Sequence, residues 1–170
     1  MANLERIQAN NALIQNCIDK ANSLPNAGGD GGSEFLKKLA EGTLTEIKAE
    51  DLQGVTKLKH SFLFGYEDLT NITFADTITE IDDYCISECP LMSLTFGKNI
   101  SRIGNEAIWA WFLEVIDLTA CSIPPAIEED SFFGLESSYE TYEIRVKSTL
   151  VDAFKNATNW SAYADRIVGV

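Results

Sequence analysis

Apolar residues recur along the middle of the chain at a fixed interval of 22 residues. Leu69, Leu91 and Leu113 occupy successive positions of this series, and Leu135 continues it. Self-similarity at a constant period is the sequence signature of a repeat architecture. Two further columns keep the same interval, namely Ile72, Leu94 and Ile116, and Phe74, Phe96 and Leu118.

Each block of 22 residues is interpreted as one coil of a stack. It opens with apolar residues two apart, such as Ile72 and Phe74, flanked by Thr and Asn, which is typical of a short strand with one buried face. A second apolar pair three apart follows, as in Ile78 and Ile81. A strand, a bend and a return segment cannot bury their apolar side alone, but stacked neighbours bury it. We therefore expect an α/β solenoid with a parallel β-sheet.

The first and last coils are less regular than the middle ones. A looser coil begins at Leu44, and the last predicted strand, at Ile144, lies 28 residues after Ile116. We expect about six extra residues to form a surface loop around residues 136–141, because insertions in solenoids emerge as loops. Pro124 and Pro125 replace the second apolar pair of the third full coil, which predicts weaker regularity there.

Two of the blocks resemble the BspA-like leucine-rich repeat. Residues 78–91 (ITEIDDYCISECPL) and 100–108 (ISRIGNEAI) are similar to the family pattern I-x-x-I-G-x-x-A-F-x-x-C-x-x-L. The resemblance covers about residues 43–170. The departures are Asp82, where the family usually has Gly, and Trp111 and Phe133, where Cys89 matches the family Cys. The resemblance implies a binding or display scaffold of the kind found in Gram-positive bacteria and their phages, with no catalytic residues.

The two ends of the chain predict separate elements. Residues 1–24 are expected to form an N-terminal α-helix, 25–33 a Gly-rich linker, 34–147 the solenoid with its N-terminal cap, and 148–170 a helical C-terminal cap. Ser33 is expected to begin the N-terminal capping helix and Gly42 to end it. In the C-terminal cap, Ser148 and Asn159 are expected to be the N-caps of two short helices.

The N-terminal helix carries the spacing of a coiled-coil seam. We expect it to associate with copies of itself, for example as a trimer, or to anchor the chain to other virion proteins. The alternative is a lone amphipathic helix that docks on its own body or on a different subunit. The seam residues, spaced by three and four, are Leu4, Ile7, Asn11, Ile14, Ile18 and Ala21.

Composition excludes several classes of partner. The 170 residues include 26 acidic and 13 basic side chains, which gives a net charge of −13. This charge disfavours nucleic acid and the anionic surface of a membrane. No stretch approaches the roughly 20 apolar residues of a membrane span. The first residues lack a secretory signal, so we expect synthesis in the cytoplasm and reduced thiols.

No residue pattern indicates catalysis, a cofactor or a metal. The neighbouring carboxylates at Asp82 and Asp83, and at 128–130, are expected to point apart on extended segments and to be solvated. His60 has no nucleophile motif near it in the sequence. Cys85 and Cys89 lack a second ligand pair, so we expect them to pack in the core.

Two surfaces are candidates for partner binding. Trp109 aligns with Ser87 at an outward position and is expected either to be an exposed contact residue or to cover the neighbouring coil at the rim. Trp111 aligns with Cys89 and is expected in the core. The second candidate is the outward face of the strands, with Asn71, Thr73, Ser93, Thr95, Asp117, Thr119, Glu143, Arg145 and Lys147.

Together these features predict a non-enzymatic structural and recognition protein. The expected setting is a phage virion (a fibre, baseplate or head decoration) assembled in the bacterial cytoplasm, with a surface glycan or protein of the host as ligand. The alternative is a protein-interaction module in the bacterial cytoplasm.

Overall fold

Three parallel β-sheets enclose one apolar core. The structure, a computed structural model, describes residues 30–135 and 142–170. Sheet A has six strands in the order β1 (Glu46–Ile47), β4 (Asn71–Thr73), β7 (Ser93–Thr95), β10 (Val115–Asp117), β13 (Glu143–Val146) and β14 (Ile167–Gly169). Sheet B has the order β11 (Ala126–Ile127), β8 (Arg102–Ile103), β5 (Glu80–Ile81) and β2 (Lys57–Leu58). Sheet C has the order β12 (Phe132–Phe133), β9 (Ile108–Trp109), β6 (Ile86–Ser87) and β3 (Leu63–Phe64).

The strand register confirms the predicted solenoid. Ile72 pairs with Leu94, Leu94 with Ile116, and Ile116 with Ile144, so the sequence columns are ladders in space. All of these side chains are buried, and so are the leucines of the first column. Each coil therefore covers the apolar side of its neighbours.

Each regular coil contains three short strands, whereas the sequence predicted one strand and a return segment. The strands of sheets B and C are two residues long, as in Glu80–Ile81 and Ile86–Ser87. A two-residue strand shows no alternating pattern, because alternation needs several consecutive residues. Sharp turns separate these strands, and Tyr84 and Glu106 occupy them with φ of 52° and 44°.

The added residues of the last coil are divided between two places. Strand β11 pairs with β8 at an offset of 24 residues, since Ala126 lies opposite Arg102, and the offset grows to 28 between Val115 and Glu143. The prediction placed all six around residues 136–141; instead, two precede Ala126 and the other four follow Phe133. Pro124 and Pro125 do not interrupt sheet B, because the strand begins directly after them.

Helix α1 (Asp30–Glu41) covers the N-terminal end of the core. It begins inside the predicted linker, so Ser33 lies within the helix and is not its N-cap. Gly42 ends the helix as predicted, with a φ of +70°. The Gly42 and Thr43 N–H groups donate to the Leu39 and Lys38 carbonyls, which is the Schellman arrangement. The Tyr66 hydroxyl donates to the Leu39 carbonyl at 2.9 Å and ties this helix to the first coil.

The C-terminal cap contains helices and a strand. A 3-10 turn (Ser148–Leu150), helix α2 (Val151–Lys155) and a 3-10 helix (Trp160–Arg166) precede β14, which extends sheet A. The strand was not predicted.

Of the two predicted N-caps of this segment, only Asn159 occupies an N-cap position, and neither side chain forms a capping hydrogen bond. The Ser148 hydroxyl donates to the Val170 carbonyl, because the last strand passes beside it. Asn159 does precede the 3-10 helix, but its amide donates to the Ile127 carbonyl of sheet B instead of capping. Asn159 therefore joins the cap to the solenoid, whereas Ser148 ties the start of the cap to its last strand.

The proposed coiled-coil residues, 4 to 21, and most of the predicted linker lie outside the described residues. Within 30–135 and 142–170, no helix is long and apolar enough to span a membrane.

Candidate functional site

Trp109, Trp111 and Phe133 form an aromatic cluster at the C-terminal half of sheet C, and the exposed Phe112 follows Trp111 in the sequence. We call Trp109, Trp111, Phe112 and Phe133 the aromatic patch. The side chains of Trp111, Phe112 and Phe133 are 46%, 63% and 40% exposed. Trp109 lies between two of them, with its ring 5.6 Å from that of Trp111 and 5.2 Å from that of Phe133, both edge-to-face. Edge-to-face contacts at these distances are favourable between aromatic rings.

Both tryptophans of the patch depart from their predicted exposure, because Trp111 is exposed and Trp109 is half-buried. Trp111 was expected in the core, yet its ring lies outside on Gly134, where a Cβ would be 2.8 Å from Trp111 Cδ1. Cys89, in the same column, is buried. The close-packed space that holds a thiol does not accommodate an indole, and a glycine with φ of +90° offers an open surface beside it.

Trp109, expected at an outward position, is half-buried beneath its neighbours. Its indole Nε1 is buried and has no hydrogen-bond partner among the described residues. The register explains its position, because Trp109 pairs with Phe133 in the adjacent strand. Sequence reasoning did not place Phe112 and Phe133 in this site. The available signal was the aromatic pair Trp111 and Phe112 in one coil, followed by the pair Phe132 and Phe133 in the next coil.

The four segments that contain the strands of sheet C carry acidic side chains and no Lys or Arg, and Lys59 lies in the turn just before the first of them, at β3. The segments 61–68, 84–92, 106–114 and 130–135 contain no Lys or Arg. Basic side chains are found on the other two sheets, for example Lys57 and Arg102 on sheet B. The acidic residues of these four segments are Glu67, Asp68, Glu88, Glu106, Glu114 and Asp130.

The second candidate surface, the strand face of sheet A, is polar and internally bonded. The Ser93 hydroxyl donates to Asn71 Oδ1 at 2.6 Å, and the Thr119 hydroxyl donates to Asp117 Oδ1 at 2.6 Å. Arg145 forms an ion pair with Glu143 at 3.0 Å. Lys147 and Thr73 are exposed, and Thr95 is half-buried. The structure thus brings the predicted residues to one face, where several bind one another.

The neighbouring carboxylates belong to an ion-pair ladder across sheet B. Lys57 lies 2.8 Å from Asp82 and 3.1 Å from Glu80, and its hydrogen bond to Asp82 is the main cause of its raised pKa. Arg102 lies 3.1 Å from Glu80 and 3.3 Å from Asp83. These contacts join successive coils, so the carboxylates are structural partners of the cations.

His60 and the thiols are also accounted for by packing. His60 Nδ1 lies 3.1 Å from the Asp83 carbonyl, and its ring contacts Tyr84 edge-to-face. Cys85, Cys89 and Cys121 are buried. Burial raises the pKa of the Cys89 and Cys121 thiols to about 11, which keeps them protonated. Among the described residues, no group of three His, Cys, Asp or Glu side chains could hold a metal ion.

Comparison with known proteins agrees with the repeat geometry. No curated protein matches the chain. The family described as "BspA type Leucine rich repeat region" matches residues 40–161 in six copies, which is most of the chain. Leucine-rich repeats of this family are in general non-enzymatic modules that bind other proteins. The register, the buried columns and this match together show that the chain belongs to the BspA-type leucine-rich repeat family.

Proposed function

We propose that this protein is a recognition protein that binds its partner through the aromatic patch. Three aromatic side chains of the patch are each at least 40% exposed, and this exposure supports the proposal. Exposed aromatic clusters mark contact surfaces, because Trp, Tyr and Phe contribute much of the binding energy at interfaces.

The strand face of sheet A supports binding less well. Its hydroxyl, amide and carboxylate groups already bond one another, as Ser93 does with Asn71 and Thr119 with Asp117. A partner would have to replace these bonds, and such an exchange contributes little net free energy. Covering the rings of the aromatic patch, in contrast, removes apolar surface from water.

The setting that we propose is a phage virion. The resemblance of the repeat to those of Gram-positive bacteria and their phages supports this setting, together with the heptad spacing of residues 4–21. In this arrangement the N-terminal segment joins several copies, or anchors them to a larger assembly, and the solenoid is displayed towards the host surface. Several linked copies would raise the overall affinity above that of one site. The alternative remains an interaction module inside a bacterium.

Binding to whole Gram-positive cells tests the proposed function. We expect the fluorescently labelled full chain to bind, and Trp111→Ala to weaken binding at least about tenfold, as expected for an exposed interface tryptophan. Ile123→Ala is the matched control, because Ile123 is 70% exposed and lies outside the patch. Equal binding by all three proteins would contradict a role for the patch.

A further inference from the structure

The charges around the aromatic patch define the chemistry of its partner. Resting on the proposed function, we infer that the patch binds a protein segment that presents Lys or Arg side chains among apolar ones. The cationic groups would stack on the exposed rings and face the surrounding carboxylates.

The distribution of charge supports a cationic partner. The segments 61–68, 84–92, 106–114 and 130–135 of sheet C carry six acidic residues and no Lys or Arg, although the chain has 13 basic side chains. Lys59, in the turn before β3, lies at the edge of sheet C opposite β12. Glu88 and Glu114 are both exposed. Glu114 follows Trp111 by three residues, and Glu88 lies in the preceding coil, directly after strand β6, which pairs with β9. The whole chain adds a long-range field in the same direction, since its net charge is −13. A cationic segment would therefore be attracted to this side of the solenoid and oriented on it.

The rings supply a second, short-range contribution to the same preference. A cation within about 6 Å of an aromatic face is attracted by the ring quadrupole, and Trp is the best acceptor. Trp111 and Phe133 are exposed on either side of Trp109, so two rings are available to one segment. The apolar part of the partner would cover Phe112, which is 63% exposed.

A glycan explains these observations less completely. Sugars also stack on aromatic rings, but a neutral glycan gains nothing from the absence of cations on sheet C. An anionic wall polymer would be repelled by the same carboxylates. The protein partner alone makes use of both the rings and the charges.

The test measures the affinity of the full chain for defined probes by isothermal titration calorimetry. The first probe is a short peptide of alternating Lys and Leu, the second is the same peptide with acetylated lysines, and the third is a neutral chito-oligosaccharide. We expect the first probe to bind, with an affinity that falls as salt is added, and the other two to bind at least about tenfold more weakly.

Matched variants separate specific binding from general attraction to an acidic protein. Trp111→Ala should weaken binding of the cationic peptide about tenfold, and the double change Glu88→Gln and Glu114→Gln about threefold. The control is Glu41→Gln with Glu50→Gln, which removes the same charge from exposed positions at the N-terminal end. It should change the affinity by less than about twofold.

Each other outcome overturns the inference. If the two charge variants lose the same affinity for the cationic peptide and Trp111→Ala loses none, the peptide is attracted by the net charge alone. Tight binding of the oligosaccharide that depends on Trp111 would assign the patch to a glycan and leave the proposed function intact. Failure of the proposed function has a different signature, namely cell binding that does not depend on Trp111.

Discussion

The indole Nε1 of Trp160 donates a hydrogen bond of 2.7 Å to the carbonyl of Pro125. In the inner coils, the equivalent carbonyls of Thr79 and Ser101 accept from backbone N–H groups of the next coil, at 2.8 Å. Pro125 belongs to the last coil of sheet B, where no further coil follows. A side chain of the C-terminal cap thus takes the place of the missing backbone donor.

Replacing Trp160 by Phe tests this relationship. The ring would still fill much of the buried site, but the Pro125 carbonyl would lose its donor. Leaving a buried acceptor unsatisfied costs about 1–3 kcal/mol, so we expect the free energy of unfolding to fall by that amount. Urea denaturation measures it. Trp111→Phe is the control and should stay within about 0.5 kcal/mol, because that ring is exposed and lies on the surface. Equal losses would show that the hydrogen bond does not matter.

The apolar ladders could be predicted from the sequence, because a solenoid places every equivalent residue in one column. Leu69, Leu91 and Leu113 follow this rule without exception and are all buried. The family resemblance followed from the same columns. The terminal strand β14 could not be predicted in this way, since Ile167–Gly169 carries no repeat signal and pairs only because the cap returns to sheet A.

The candidate site was predicted only in part. The spacing put Trp111 in the column of Cys89, but a column does not specify on which side of the backbone a large ring fits. Gly134, in the next coil, decides this, because it leaves the surface beside Ala110 open to the indole. Such a decision depends on contacts between coils, which the sequence pattern does not contain.

Gly97 permits two neighbouring coils to approach closely. A Cβ at this position would lie 2.6 Å from the Ala75 carbonyl oxygen, closer than carbon and oxygen pack. We therefore expect Gly97→Ala to reduce the free energy of unfolding by about 2–3 kcal/mol, because the backbone of one coil must shift. Thermal or urea denaturation checks the value.

Gly65 provides the matched glycine. A Cβ there would meet no atom within 4 Å, but φ is +70°, so the cost of Gly65→Ala is conformational and about 1 kcal/mol. The predicted order is that Gly97→Ala is the more damaging substitution. The reverse order would contradict the close approach of the coils.

The buried thiols should be inert in the folded protein. Burial raises the pKa of Cys89 and Cys121 to about 11, and Cys85 is completely enclosed, so the thiolate that reacts with reagents is scarce. In a Cys17→Ser variant, we expect no labelling by a disulfide reagent at about pH 8 and labelling of all three thiols after denaturation. Rapid labelling of Cys89 or Cys121 under native conditions would refute their burial.

The seam of residues 4–21 predicts that the full chain associates. Ile14 lies in the middle of the seam, and a carboxylate there would have to be buried without a partner between helices. We expect light scattering to give a multiple of the chain mass of 18.8 kDa, such as a trimer, and Ile14→Asp to reduce it to a single chain. Gln15→Asp introduces the same charge beside the seam and should leave the mass unchanged. A single-chain mass for the unaltered protein would remove self-association, and anchoring or docking would then be the role of this segment.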